Sequence, residues 1–143
     1  MKVIVDTSVW SLAFRRDPYQ LSEQEKRIFD ILKELLAQGR AAMLGAVRQE
    51  VLSGIAIAER FRRIETILSS IEDHPIETSD HIQAADFFNR CRAKGIQGTL
   101  VDLLICAVAH RHDYPILATD KDFGHYAKVL PIRLHPAVQS KPY

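Results

Sequence analysis

Cysteine is nearly absent from this chain. Cys91 and Cys106 are the only two in 143 residues. Neither stands in a CxxC or Cys/His spacing, which excludes a disulfide scaffold and a zinc site and fits reduced thiols. Glycine and proline are equally sparse, six of each, so collagen-like and low-complexity readings fall away. No apolar run reaches transmembrane length, and the first residues read as a strand, not a signal peptide. A cytoplasmic protein with no membrane partner is therefore expected. No charge of one sign dominates. The formal net charge is +1, which removes any bulk electrostatic case for nucleic acid, so a basic binding surface has to come from local clustering. There is no internal repeat and no linker. A single domain over 1–143 is expected.

What is present is ordinary globular material, 47% hydrophobic and 26% charged. A chain of this size buries about 70% of its unfolded surface, enough for a core without staples. Val3-Ile4-Val5 is β-branched and apolar on both faces, the pattern of a central parallel strand, and Asp6 ends it. A short helix follows over Ser8 to Phe14, broken by Arg15-Arg16-Asp17-Pro18. Ser22 to Glu25 is a capping box, and the helix it opens carries Ile28, Ile31, Leu32, Leu35 and Leu36 before Gly39 stops it. Ala41 to Leu44 reads as a second strand. Helices over Ala46–Ser53 and Ala56–Ile71, a weak third strand at His74–Glu77 and a helix from Ser79 to about Lys94 come next. Thr99 to Asp102 opens a helix that runs to Arg111, apolar almost all round and so buried. Pro115 to Ala118 is a fourth strand, and Ile132 to Leu134 a fifth, on an edge. Strand alternates with helix throughout. The expected class is three-layer α/β/α around a mainly parallel sheet of about five strands.

The acids carry the functional signal. In open parallel sheets, ligands sit beyond the carboxyl ends of the strands. Asp6 occupies such an end, as a helix cap or as part of a site. Asp120 and Asp122 follow the fourth strand, again with capping as the plain alternative. Asp102 lies in the first turn of the apolar helix, where a cap is equally natural. Yet Val101, Leu103, Leu104 and Ile105 surround it, and no Lys or Arg lies within a helical turn. A carboxylate at the mouth of the core needs a partner. Asp6, Asp102 and Asp120 all stand at positions a parallel sheet can bring to one edge. Carboxylates gathered there repel and stay ionised together only beside a cation. Oxygen ligands select hard ions, Mg²⁺ or Mn²⁺. Such ions activate water and stabilise the leaving oxygen of a phosphodiester.

The sequence resembles the PIN-domain ribonucleases, in particular the VapC-type toxins of type II toxin–antitoxin systems. The resemblance rests on Val3-Ile4-Val5-Asp6-Thr7-Ser8-Val9-Trp10, Glu50-Val51-Leu52-Ser53-Gly54, Asp102 through Ala109, and Ala118-Thr119-Asp120-Lys121-Asp122-Phe123. Each motif is short, and their order and spacing span nearly the whole chain. The resemblance implies a PIN-like fold and a Mg²⁺- or Mn²⁺-dependent endoribonuclease cutting single-stranded regions of RNA. It implies Asp6, Glu50, Asp102 and Asp120 as the catalytic, metal-holding acids, with Asp122 as a further metal ligand. Thr7, Ser8 and Thr119 match small hydroxyl residues near the pocket, with a cap or turn role as the alternative. It further implies a homodimer and a cognate VapB-type antitoxin, laid across the helices at Ser8–Phe14 and Ala46–Ile71.

The composition of Glu50's own segment reads as a solvated helix face, so only the resemblance singles it out. Lys121, beside Asp120, and Arg48 are candidates for contacts to substrate phosphate, with Arg60, Arg62 and Arg63 reading as a solvated face. Trp10 packs the first helix, lines a partner groove or stacks a base. Phe61, Phe87, Phe88 and Phe123 read as core, and His125 as surface. A phospho-receiver would need an acidic pair after the first strand, and a haloacid-dehalogenase-type phosphatase an Asp at position 8, which is Ser8. A non-catalytic α/β interaction module whose acids are all caps, and a DNA-directed nuclease with the same acidic site, stay open.

Overall fold

The first strand sits at the centre because it is buried on both faces. The computed structural model describes residues 1–15 and 18–139. In chain order its elements are β1 (Val3–Val5), α1 (Thr7–Arg15), a 3₁₀ turn (18–20), α2 (Glu23–Ala37), β2 (Ala41–Ala42), α3 (Gly45–Ser53), α4 (Ala58–Leu68), α5 (Thr78–Ala93), α6 (Leu100–His112), β3 (Ile116–Leu117), α7 (Asp122–Tyr126) and α8 (Pro136–Gln139). Residues 16 and 17, where the sequence predicts the first helix to break, lie outside the described residues.

The sheet order is β2-β1-β3, and both pairings are parallel. Val3 pairs with Ala41 and Ile4 with Ala42 on one side; Ile4 pairs with Ile116 and Val5 with Leu117 on the other. Parallel neighbours need crossovers, and α1–α2 and α3–α6 supply them. The carboxyl ends of all three strands therefore lie at one edge.

The expected third strand at His74–Glu77 does not form, and a single bridge, Met43 to Asp73, stands just before it; the fifth appears as a single bridge, Ile116 to Leu134. The His74 amide donates to the Met43 carbonyl at 2.7 Å, and the chain enters α3 at Gly45, which leaves no further strand for it to pair with. Pro131 and Pro136 flank the other short pairing, in which Ile116 donates to the Arg133 carbonyl at 3.0 Å and His135 to that of Ile116 at 2.8 Å.

The helices form as their sequences direct. Ser22 and Glu25 close the capping box at 3.1 and 3.0 Å. Gly39 ends α2 with φ +67°, a conformation a β-carbon disfavours. α5 and α6 pack along each other. α6 buries Leu103, Ile105, Cys106, Ala107, Val108 and Ala109, most of its circumference. Trp10, Phe87 and Phe123 are core, and Trp10 donates its indole N–H to the Val5 carbonyl at 3.2 Å. Phe61 and Phe88 pack on the core half-buried. Both cysteines are free and buried. Among the described residues no helix is long and apolar enough to cross a membrane.

Candidate active site

Three separate segments bring acids to the carboxyl edge of the sheet. Asp6 follows β1, and its amide extends the ladder by donating to the Leu117 carbonyl of β3 at 2.9 Å. The ends of β1 and β3 are thus tied together. Ser8 reinforces the tie: its hydroxyl donates to Asp6 Oδ2 at 2.7 Å and accepts the Thr119 amide at 3.0 Å. Asp6 is buried, at 4% exposure. Asp120 and Asp122 enter from the loop beyond β3, and both are exposed.

The two strand-ending acids use the same local device. The Ser8 amide donates to Asp6 Oδ2 at 3.1 Å, and the Asp122 amide to Asp120 Oδ1 at 2.9 Å. Each is a side chain accepting from the backbone two residues on, a turn-forming habit of aspartate. Capping and site roles coexist here, since the cap bond fixes where the carboxylate stands.

Asp102 is placed differently. The Thr99 hydroxyl caps the Asp102 amide at 3.1 Å and so starts α6. The Asp102 carboxylate accepts the Tyr126 hydroxyl at 2.7 Å on Oδ2. Tyr126 was not singled out by the sequence, because nothing in Phe123-Gly124-His125-Tyr126 marks a polar contact twenty-four residues away.

The electrostatics of this edge are those of uncompensated negative charge. Burial pushes the Asp6 carboxyl above its usual range; bonds from Ser8 and the Thr7 amide pull it down without cancelling, and the charge of Asp120 adds to the rise. Asp102 is pushed up to about 6, first by burial, with the charges of Asp6 and Asp120 adding and the Tyr126 and Thr99 hydroxyls opposing. Asp122 is also raised, by burial and then by Asp120. The strongest charges acting on Asp102 are thus negative.

Glu50 arrives on α3, exposed, and joins the group through Thr7, whose hydroxyl donates to Glu50 Oε1 at 2.6 Å. Thr7 follows Asp6 directly, so this bond docks α3 at the end of β1. Lys121 is exposed beside Asp120. His125 is exposed on α7.

Arg48 is not brought to the acids. It lies two residues before Glu50 on α3, roughly 200° around the helix. Its guanidinium pairs with Asp73 at 3.0 Å and donates to the carbonyls of Leu68, at 3.0 Å, and Ile71. It ties α3 to the end of α4.

The donor set fits a hard divalent cation. The candidate ligands are carboxylate oxygens, three of the acids have raised affinity for protons, and no basic side chain leads the forces on any of them. Among the described residues no three acidic, histidine or cysteine side chains already stand as a closed metal cluster. Asp6, Asp102 and Asp120 stand near enough to act on one another's charge.

A parallel α/β sheet with acids gathered at its carboxyl edge defines the class of protein. The chain belongs to the PIN domain family, whose model matches residues 3–129. Its fold is similar to FitAcB from Neisseria gonorrhoeae (TM-score 0.70, 18% identity, 94% of this chain and 97% of that one). It is also similar to VapBC2 from Rickettsia felis bound to a DNA fragment from their promoter (0.67, 19%, 94% and 98%). A toxin–antitoxin complex from Klebsiella pneumoniae is a further match (0.59, 16%, 85% and 90%). No curated protein matches the sequence significantly.

Proposed function

We propose that this chain is a divalent-metal-dependent endoribonuclease that acts as the toxin of a toxin–antitoxin pair. One observation carries the reading: in a PIN-family chain, Asp6, Asp102 and Asp120 arrive from three segments and act on one another as like charges at the sheet edge. Such an arrangement destabilises the protein unless a cation joins it.

Asp6, Asp102 and Asp120 hold Mg²⁺ or Mn²⁺, with Glu50 beside them and Asp122 as an outlying ligand. The ion supplies an activated water and positive charge for the phosphodiester as it breaks. Ser8 and Thr119 hold Asp6 against the β3 loop. Thr7 holds Glu50 at the same edge. Lys121, exposed beside Asp120, would meet a backbone phosphate of single-stranded RNA.

The antitoxin partner is supported by a groove of ≈ 440 Å³ apart from the acids, lined by Trp10, Phe14, Leu36, Ile67 and Ile71 among others. Leu36 and Ile67 are 39% and 50% exposed there. A groove of mixed character, with Lys2, Ser70 and Glu72 beside the apolar residues, suits an amphipathic segment of a VapB-type antitoxin. The similar folds occur in VapBC and toxin–antitoxin complexes. The toxin acts as a homodimer in the cytoplasm.

The test is cleavage of end-labelled single-stranded RNA and DNA panels, with Mn²⁺ or Mg²⁺ against EDTA, by the wild type and Asp102→Asn. RNA cutting that needs metal and is lost in the variant supports the reading. Cutting of DNA alone makes the chain a DNA-directed nuclease. No cutting and no Mn²⁺ binding by the wild type leaves an interaction module whose acids are caps.

A further inference from the structure

The hydroxyl of Tyr126 stands at the acidic site, yet no role in the reading above uses it. Tyr126 closes α7 and is fully buried, at 0% exposure. Its ring meets Phe123 edge-on, with centroids 5.2 Å apart and planes at 85°. Gly98 lies close by: a β-carbon added there would reach Tyr126 Cε1 at 3.5 Å, ordinary van der Waals contact, and clash with Leu103 Cδ2 at 2.3 Å. A tyrosine side chain has two principal torsions, and packing of this kind fixes both. The core therefore sets where the hydroxyl stands, and it stands 2.7 Å from Asp102 Oδ2.

A carboxylate can turn about its last torsion and offer either oxygen. A donor locked in place removes that freedom by holding one oxygen. The other donor acting on this carboxyl is the Thr99 hydroxyl, in the cap of the same helix. The tyrosine donor is neutral, so it orients the acid without cancelling its charge. Arginine acts otherwise at Asp80, where the Arg111 fork takes both oxygens at 2.7 and 2.9 Å. Partners that orient metal ligands in this way are a general feature of metal sites, and removing one typically costs about 10–100-fold in metal affinity or activity.

Resting on the nuclease reading, we propose that Tyr126 is a positioning residue that pins Asp102 by Oδ2 and presents Oδ1 to the divalent cation. The ring belongs to the core, and the hydroxyl belongs to the site. The two roles separate in Tyr126→Phe, which keeps the ring and deletes the donor.

The experiment is calorimetric titration of Mn²⁺ into the full metal-free chain, without RNA, for wild type, Tyr126→Phe and Asp102→Asn, with thermal unfolding of each. Wild type binds, Asp102→Asn does not, and Tyr126→Phe binds about tenfold more weakly with a midpoint of unfolding close to wild type. Its RNA cleavage falls at low Mn²⁺ and recovers at saturating Mn²⁺, with KM for RNA unchanged. A merely structural hydroxyl would lower the unfolding midpoint and leave the Mn²⁺ isotherm in place. Wild-type binding matched within twofold by Tyr126→Phe overturns the inference and leaves the nuclease reading standing. No Mn²⁺ binding by the wild type overturns both. Should Tyr126→Phe fail to fold, the Tyr126 ¹³Cζ resonance of the wild type, followed during titration with Mg²⁺, decides instead. A shift on binding supports the contact with a metal ligand, and an unmoved resonance overturns it.

Discussion

Helix α6 meets a carboxylate at each end, and the two are treated in opposite ways. At its last turn, Arg111 reaches Asp80 on α5 with two charge-assisted bonds, and the Glu77 amide adds a third at 2.9 Å. Asp80 is the more deeply buried of the two, at 1% exposure. Burial pushes its carboxyl up, but the Arg111 bond, the Glu77 amide and the Arg111 charge outweigh that and hold it below the usual range. At the first turn, Asp102 is less buried but meets a neutral phenol and two more acids, and it is pushed up to about 6. One chain thus contains a buried acid neutralised from within and a set of acids left for something from outside. Depth of burial does not separate structural from functional carboxylates here. The sign of the surrounding charge does.

The contrast can be broken most sharply at the acidic edge of the sheet. Asp6→Asn or Asp102→Asn is expected to lower RNA cleavage by at least about 100-fold, with the far-ultraviolet circular dichroism of wild type. Cleavage at the wild-type rate would remove those acids from the site. Asp80→Ala is expected to do the reverse. It removes the acceptor for Arg111 and the Glu77 amide, and should cost about 2 kcal/mol in a denaturant melt, while cleavage per folded molecule is kept.

The two acids also bend the pH profile in opposite directions. Asp102 has an unfolded pKa near 4 and a folded value of about 6. Between those values the native chain binds the extra proton, so metal-free stability falls as pH rises through that window. Asp102→Asn removes this loss and should gain about 1–2 kcal/mol over the metal-free wild type at pH 7, once screening by water at a part-exposed group is allowed for. Asp80 has a lowered folded pKa. Its contribution is present above the unfolded pKa and is lost as pH falls through the folded one. Urea melts from pH 3 to 8 on the three proteins separate the limbs. A flat Asp102→Asn difference across pH would end the comparison. Added Mn²⁺ should erase the Asp102 penalty in the wild type and leave the Asp80 limb alone.

The smallest effect is expected at Lys121, which is exposed. Lys121→Ala should weaken RNA binding roughly threefold and lower the salt dependence by about one counterion, uniformly across sequences. Fluorescence anisotropy at several salt concentrations reads both, and an unchanged slope would place the lysine off the phosphate path.

Much of the architecture is written locally. The capping box at Ser22, the stop at Gly39 and the all-apolar face of α6 are legible because each depends on residues within a turn or two. The third and fifth strands follow from their local patterns, but a strand needs a partner as well, and only single bridges form there. Arg48 shows the same limit at the site. Its charge alone suggests phosphate; its partners at the end of α4 and Asp73 become visible only in the fold. Asp80 carried no signal of burial, because its neutraliser lies on another helix.

The sequence by itself determined the strand–acid–helix segments, because β-branched runs, caps and helical spacing act over a few residues. It also fixed which residues could be acids at strand ends. The tertiary structure alone decided that Thr7 reaches Glu50, that Ser8 clasps the β3 loop, that Tyr126 pins Asp102 and that Arg111 neutralises Asp80. Those contacts join residues far apart in the chain. Coulombic forces and hydrogen bonds depend on distance in space, which the parallel crossovers set and the local pattern does not.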